Sequence, residues 1–256
     1  MSTYLGQNFL VDTKVKTYIA DKIKQIYEDN NLNCIIEIGP GKGAITKKIY
    51  NISDNFFVIE KDETMKDHLE GILDKAQIIF TDVLESDIDK ELKKRNIDPT
   101  STLIIGNLPY YITSPIFRKF FGNGDQKYFG GFFMIQDEVG QKIQTEQNKK
   151  SFLRWLLNYA YHIEYKKTVG AKCFKPAPKV KSCLVQFQEK ENKIDIDFQK
   201  LFEFLNLYSQ FSRKTLGAID KILQKQNKDT FKIPENLKKK RLEELSWENI
   251  KKIINQ

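Results

Sequence analysis

Residues 34 to 43, Cys-Ile-Ile-Glu-Ile-Gly-Pro-Gly-Lys-Gly, leave this chain few folds to choose from. Cys34 to Ile38 is rich in β-branched and apolar residues and reads as a buried strand, which the following glycine-proline cluster breaks. Beyond that cluster Ile45, Ile49 and Ile52 fall close to one helical face, so a helix is predicted there. Strand, glycine turn and helix in succession form the nucleotide-binding opening of a doubly wound sheet, with the ligand beyond the strand's carboxyl end. The glycines are spaced G-x-G-x-G rather than G-x-G-x-x-G, and no Gly-Lys-Ser/Thr closes the turn. Neither phosphate-binding fingerprint is present, which argues for a ligand without a pyrophosphate.

The next strand ends narrow the ligand further. Phe56-Phe57-Val58-Ile59 runs into Glu60, and Gln77-Ile78-Ile79-Phe80 leads to Asp82-Val83. An acidic residue about twenty positions past the first glycine is placed to accept from ribose hydroxyls. A carboxylate at the third strand end is placed for an adenine amino group. Either acid taken singly reads equally well as an ordinary solvated carboxylate. On three successive strand ends, Gly39, Glu60 and Asp82 together favour an adenosine cofactor lacking phosphates, S-adenosylmethionine. Gly39, Gly41, Glu60, Asp82 and Val83 are its candidate binding residues.

The apolar run Leu103-Ile104-Ile105-Gly106 ends in Asn107-Leu108-Pro109-Tyr110. An asparagine amide offers one carbonyl acceptor and two N–H donors. Pro109 fixes its own φ and biases Leu108 to an extended form, so backbone carbonyls there can face a ligand. Tyr110 supplies a flat face. The set suits a nucleobase amino group, whose two N–H bonds need two acceptors, although the tetrapeptide alone also fits a strand-ending turn.

With these motifs in view, the chain resembles the ribosomal RNA adenine N6,N6-dimethyltransferases. The resemblance is carried, in family order, by Gly6 to Asp12, Glu37 to Gly43, Asn107 to Tyr110 with Ile112-Thr113-Ser114-Pro115, Phe174 to Val180, and Phe211 to Leu216. It implies transfer of methyl groups from S-adenosylmethionine to N6 of two adjacent adenosines in a small-subunit rRNA loop, coupled to ribosome biogenesis, with a pre-ribosomal particle as partner. It also implies that the Asn107 side-chain oxygen and the Pro109 carbonyl hold the amino group, and that Asn107, Asn8 and Leu10 contribute to cofactor binding. Tyr110 would stack on the base with Phe174 as a second wall, and Arg213 and Lys214 would touch RNA. Two other functions remain open: a resistance-type methyltransferase acting on large-subunit rRNA, and a non-catalytic rRNA-binding assembly or transcription factor on the same fold. Leu108, Ile112 to Pro115 and the Phe-x-Pro-x-Pro segment fit the small-subunit branch better. A nicotinamide oxidoreductase is disfavoured by the glycine spacing. Residues 140–155 lack the family's usual Pro/Gly-containing loop, and the N-terminal basic extension is almost absent, so RNA docking is less well specified than cofactor binding.

The expected fold class is therefore α/β, a Rossmann-like methyltransferase sheet followed by a small helical domain. Residues 1–189 would form the S-adenosylmethionine-binding catalytic domain, and residues 190–256 a helical RNA-binding domain. The charged linker Glu189 to Lys193 marks the boundary, after which helical patterns cover Phe198 to Tyr208, Phe211 to Leu223 and Leu237 to Ile254. Lys181 to Gln188 alternates polar and apolar residues, fitting a late antiparallel strand that could lie at an edge. Lysine plus arginine number 42 against 34 acids, a balance of +8 that suits a polyanion without proving one. Lys238 to Arg241 reads either as an RNA contact or as a solvated helix start. Cys34, Cys173 and Cys183 have no metal-pairing spacing, and no metal is expected. The start lacks the features of a secretory signal, and no apolar run approaches the roughly 20 residues that span a bilayer. A monomeric cytoplasmic protein away from membranes is the expectation.

Overall fold

The computed structural model describes residues 8–145, 151–192, 194–211 and 213–255. Gly6 and Gln7 of the N-terminal motif, residues 146–150 of the variant loop, Lys193 of the linker and Ser212 of the tail motif lie outside the described residues. The first half contains β1 (Phe9–Leu10), α1 (Thr13–Asp29), β2 (Cys34–Ile38), α2 (Thr46–Ile49), β3 (Asn55–Glu60), α3 (Lys66–Glu70), β4 (Ile78–Phe80) and α4 (Ile88–Lys94). Next come β5 (Thr102–Asn107), α5 (Thr113–Phe121), β6 (Gly130–Gln136), α6 (Asp137–Ile143), α7 (Phe152–Ala160), β7 (Tyr161–Val169), β8 (Phe174–Lys175) and β9 (Ser182–Glu189). The tail carries α8 (Phe198–Ser209), α9 (Leu216–Lys225) and α10 (Trp247–Ile254).

Seven strands form one sheet in the order β4-β3-β2-β5-β6-β9-β7. β2 pairs in parallel with β3 on one side and β5 on the other, so the order reverses at β2. That reversal opens a crevice at the strands' carboxyl ends. Every residue of β2 is buried, as expected for a parallel strand covered on both faces. Its side chains alternate between two apolar clusters. Ile35 joins Ile19, Ile23, Phe56 and Leu103, whereas Ile36 joins Phe57, Ile104, Phe117 and Phe133. α1 closes the first face through Val15, Ile19, Ile23 and Ile26, and its start is capped by Asp12, whose carboxylate accepts from the Val15 N–H at 2.8 Å.

Four sequence expectations need correction. The helix after the glycine loop is a single turn, Thr46–Ile49, and only Ile45 and Ile49 of the predicted apolar face are fully buried. The strand read as a possible edge, β9, lies inside the sheet between β6 and β7, antiparallel to both. The edge on that side is β7, whose exposed His162 and Glu164 alternate with buried Tyr161 and Ile163. Helix α9 begins at Leu216 rather than Phe211. The last predicted helix is reduced to Trp247–Ile254, and the lysine run Lys238–Arg241 does not start it. The Lys240 and Lys238 carbonyls accept from Leu216 N and Gly217 N, capping the open amides of α9, so this backbone runs alongside that helix end.

The tail helices share one apolar cluster with the sheet through α7. The Trp155 and Trp247 rings meet edge to face at 4.7 Å, and the Tyr159 hydroxyl donates to the Ile196 carbonyl at 2.7 Å. Cys34 and Cys183 are buried, as expected, and burial pushes both thiols up to about 12. Among the described residues no helix is long and apolar enough to cross a membrane.

Candidate active site

The carboxyl ends of β2, β3 and β5 converge with the N-terminal segment on one cavity. It holds about 1150 Å³ of empty space including its open mouth. Asn8, Leu10, Gly39, Gly41, Glu60, Asp82, Val83, Asn107, Pro109, Tyr110 and Phe174 all line it. Sequence positions as far apart as 8 and 174 thus meet here because β1 pairs antiparallel with β8, Leu10 opposite Phe174, and straps the N-terminal segment across the cleft.

The glycine loop is stitched to the end of β3. Gly39 has φ +65° and Gly41 φ +55°, a left-handed backbone that glycine adopts without steric cost. A side chain on Gly39 would project into open space, and one on Gly41 would press on the Phe9 ring at 3.2 Å. Gly39 N donates to the Ile59 carbonyl and Gly41 N to Glu60 Oε2, each at 2.9 Å. Glu60 Oε1 accepts from Asp62 N, also at 2.9 Å. The carboxylate is nearly buried, and desolvation raises its pKa against these amide hydrogen bonds, which lower it. A carboxylate has about four acceptor positions, so Glu60, with amide hydrogen bonds from Gly41, Asp62 and Lys61, retains capacity for a ribose hydroxyl.

Asp82 is more engaged than the sequence indicates. Its Oδ2 meets Lys61 Nζ at 2.7 Å, and its Oδ1 accepts from Leu84 N at 2.9 Å. The Lys61 hydrogen bond, then the Leu84 amide, hold its carboxyl below the usual range. Beside Asp82, buried Val83, Ile59 and Leu108 offer apolar walls to a flat ring. Open space beyond Gly39, two carboxylates on adjacent strand ends and apolar walls together fit a nucleoside carrying a short side arm, as S-adenosylmethionine does.

At the end of β5 the Asn107 amide is oriented by the strap. Its Nδ2 donates to the Asn8 carbonyl at 3.2 Å. A carbonyl can only accept, so this contact assigns the NH2 end to Asn8, and among the described residues Oδ1 accepts no hydrogen bond. The Tyr110 hydroxyl is tied to Ser182 Oγ at 2.8 Å, which fixes the ring against the start of β9. Pro109 departs from expectation. Its carbonyl already accepts from Ile112 N at 3.2 Å and Thr113 Oγ1 at 3.1 Å, which fills both lone pairs. The adjacent Leu108 donates its N–H to the Met134 carbonyl at 3.0 Å, and among the described residues its own carbonyl accepts no hydrogen bond. Of the two carbonyls, Leu108's is the one left open among the described residues.

Several cavity residues escaped the sequence reading. Glu37 is the clearest: a carboxyl inside the all-buried β2, it accepts from Thr46 Oγ1 at 2.7 Å. Burial pushes its pKa up to about 7, with the Thr46 hydroxyl opposing and repulsion from Glu60 assisting. The signal was an acidic residue inside an apolar strand. Lys61 and Tyr111 also line the cavity, Tyr111 with 61% of its surface exposed. Arg213 and Lys214 lie outside the cavity lining and are exposed before α9. Among the described residues no group of three His, Cys, Asp or Glu side chains is arranged to hold a metal.

Comparison with known proteins bears on this cavity. A family model described as "Ribosomal RNA adenine dimethylase" matches residues 1–256. A curated relative from Mycoplasma mycoides, "Ribosomal RNA small subunit methyltransferase A", is 34% identical over 252 residues, covering 94% of this chain and 92% of the relative. The protein of the same name from Onion yellows phytoplasma is 34% identical over 215 residues, covering 82% of this chain and 77% of its own. In fold, the chain is similar to a dimethyladenosine transferase from Plasmodium falciparum, with TM-score 0.68, 18% identity and 94% of each chain covered. It is also similar to the 23S rRNA methyltransferase ErmE, with TM-score 0.63, 19% identity, and 97% and 100% covered.

Proposed function

We propose, for a chain that belongs to the ribosomal RNA adenine dimethylase family, that the cavity joins an S-adenosylmethionine pocket to a slot for one extruded adenine. The protein is an S-adenosylmethionine-dependent rRNA adenine dimethyltransferase, and the curated relatives direct it to small-subunit rRNA. The finer reading is that it modifies N6 of two adjacent adenosines in a loop of that RNA within a pre-ribosomal particle. The observation carrying the residue roles is the Asn107 amide, turned by Asn8 so that its oxygen faces away from the strap.

Glu60 would accept from the ribose hydroxyls and Asp82 with Val83 would face the cofactor's adenine, while Gly39 and Gly41 let the backbone approach closely. The bound cofactor supplies an electrophilic methyl group on a sulfonium. The substrate's N6 is a poor nucleophile because its lone pair is delocalised into the ring. Asn107 Oδ1 and the Leu108 carbonyl would each accept one N6–H, drawing the nitrogen towards a pyramidal form with its lone pair aimed at the methyl. That stabilisation is concentrated in the transition state and in near-attack positioning. Tyr110, held by Ser182, would stack on the base with Phe174 opposite, at about 1–3 kcal/mol per stacked base. The target must leave its own stack, which costs least in a loop. The exposed cations Arg213 and Lys214, with the balance of +8, would follow the phosphate backbone from the helical region 190–256.

The test incubates the protein and labelled cofactor with unmethylated small and large ribosomal subunits and maps dimethyladenosine. Label at paired adenosines of the small subunit is expected. Label confined to the large subunit would overturn the substrate assignment, and RNA binding without label would point to the assembly-factor reading.

A further inference from the structure

Lys119, on α5, has its ammonium group committed to a single loop. Its Nζ donates to the carbonyls of Val83 at 2.8 Å, Leu84 at 3.0 Å and Ser86 at 2.5 Å. An ammonium has three N–H bonds, so all of them are spent on this backbone, and none remains for phosphate. The loop follows β4 and is the one that turns Asp82 and Val83 into the cavity. Its inner side is a tight turn: Leu84 N binds the Asp82 carboxylate, Glu85 N and Ser86 N bind the Asp82 carbonyl, and Ser86 Oγ donates to the Val83 carbonyl at 2.8 Å. Lys119 gathers the Leu84 and Ser86 carbonyls and adds a second hydrogen bond to the Val83 carbonyl.

Helix α5 makes this grip relevant to the chemistry. The same helix begins at Thr113, whose hydroxyl donates to the Pro109 carbonyl at 3.1 Å in the Asn107–Ile112 turn. Lys119 lies six residues further, about 9 Å along the helix axis. Ile116 and Phe117 between them and Phe120 just beyond Lys119 are buried, so α5 acts as a rigid strut between the base-holding turn and the loop behind the cofactor.

We propose that Lys119 is a positioning residue for the cofactor's base. It sets the Val83–Ser86 backbone and thereby the place of Asp82, without touching the cofactor itself. The inference rests on the reading of Asp82 as the acceptor of the adenine amino group. Nothing in the motifs announces Lys119, because its three acceptors are backbone carbonyls of a segment more than thirty residues away. Removing the ammonium leaves the Leu84 and Ser86 carbonyls to water and the Val83 carbonyl with Ser86 Oγ alone, and the loop gains freedom that cofactor binding must then restrict.

The experiment measures binding by calorimetry, without turnover, of S-adenosylhomocysteine and of its inosine counterpart, which carries an oxygen in place of the adenine amino group. Parent, Lys119→Met and Lys119→Gln are compared, with melting temperature recorded for each. The parent is expected to prefer the adenosyl compound at least tenfold. Lys119→Met should lose most of that preference, through weaker adenosyl binding with less than threefold change for the inosyl compound. Lys119→Gln, which keeps two N–H donors, should fall between and serves alone if the methionine variant does not fold. An undiminished preference in the variants, or equal losses for both compounds, would overturn the positioning role. A parent without any preference would instead overturn the Asp82 reading on which the proposal stands.

Discussion

Replacing Glu37 with glutamine should remove a pH-dependent penalty from folding. The Glu37 carboxyl is 2% exposed, and burial lifts its pKa from the ordinary 4.5 to about 7. Below 4.5 both folded and unfolded chains carry the proton, and the group has no effect on stability. Between 4.5 and about 7 the folded chain keeps a proton that the unfolded chain has lost, so stability falls as pH rises through this window. Above about 7 both states are ionised and the whole penalty is present. The span from 4.5 to about 7, at about 1.4 kcal/mol per pH unit, amounts to about 3 kcal/mol. Glu37→Gln preserves the shape and an oxygen for the Thr46 hydroxyl, but it never ionises. Its amide NH2 brings a burial cost of about 1–3 kcal/mol if unmatched, and that cost is independent of pH. The prediction therefore concerns slope: urea unfolding from pH 4.5 to 8 should show parent stability falling relative to the variant by about 3 kcal/mol. Parallel profiles for the two proteins would refute the reasoning, because they would mean that Glu37 ionises in the folded chain as it does in water.

Other expectations are simpler to state. Asn107→Ala should lower kcat by about 10²–10³-fold or more, as typical when one preorganised hydrogen-bonding group is lost, while melting temperature and RNA affinity stay near parental values; normal turnover would remove the acceptor role. Glu60→Ala should weaken cofactor binding about 10–100-fold, the worth of hydrogen bonds to a charged group, and leave RNA affinity within twofold; calorimetry and filter binding read the two, and equal losses would contradict a ribose-directed role. Gly106→Ala should destabilise the sheet by about 1–3 kcal/mol or more, because its Cβ would stand 2.6 Å from the Ile38 carbonyl oxygen and 2.9 Å from Leu108 Cδ2; an unchanged urea midpoint would refute this.

The glycine-loop side of the cavity was legible in the sequence because it is built from local signals. A strand end, a positive-φ glycine and an acid at the next strand end each announce themselves within a few residues, and Gly39, Glu60 and Asp82 meet at one wall. The Asn107–Tyr110 side was legible only in part. Asn107 and Tyr110 were named from residue type, but which carbonyl is free depends on hydrogen bonds that close the turn, and Thr113 takes the Pro109 oxygen. The edge strand β7 was missed because its alternation is short and bulged between Tyr165 and Lys167. The last helix was overdrawn because the lysine run has helical composition, while its backbone carbonyls are drawn to the open end of α9.

Sequence by itself determined much of the strand and helix alternation, the glycine turn and several of the groups that face the cleft, since these follow from side-chain period and backbone preference over short stretches. Tertiary structure decided how those groups are presented. Asn107 shows which end of its amide it offers only once Asn8 lies across it, ninety-nine residues distant. Lys119 gains its acceptors only when α5 packs beside the loop after β4. Glu37 acquires a near-neutral carboxyl only when both faces of β2 are covered. The physical reason is the same in each case: hydrogen-bond direction and desolvation are properties of the assembled neighbourhood, and neighbours distant in the chain are set by packing rather than by local pattern.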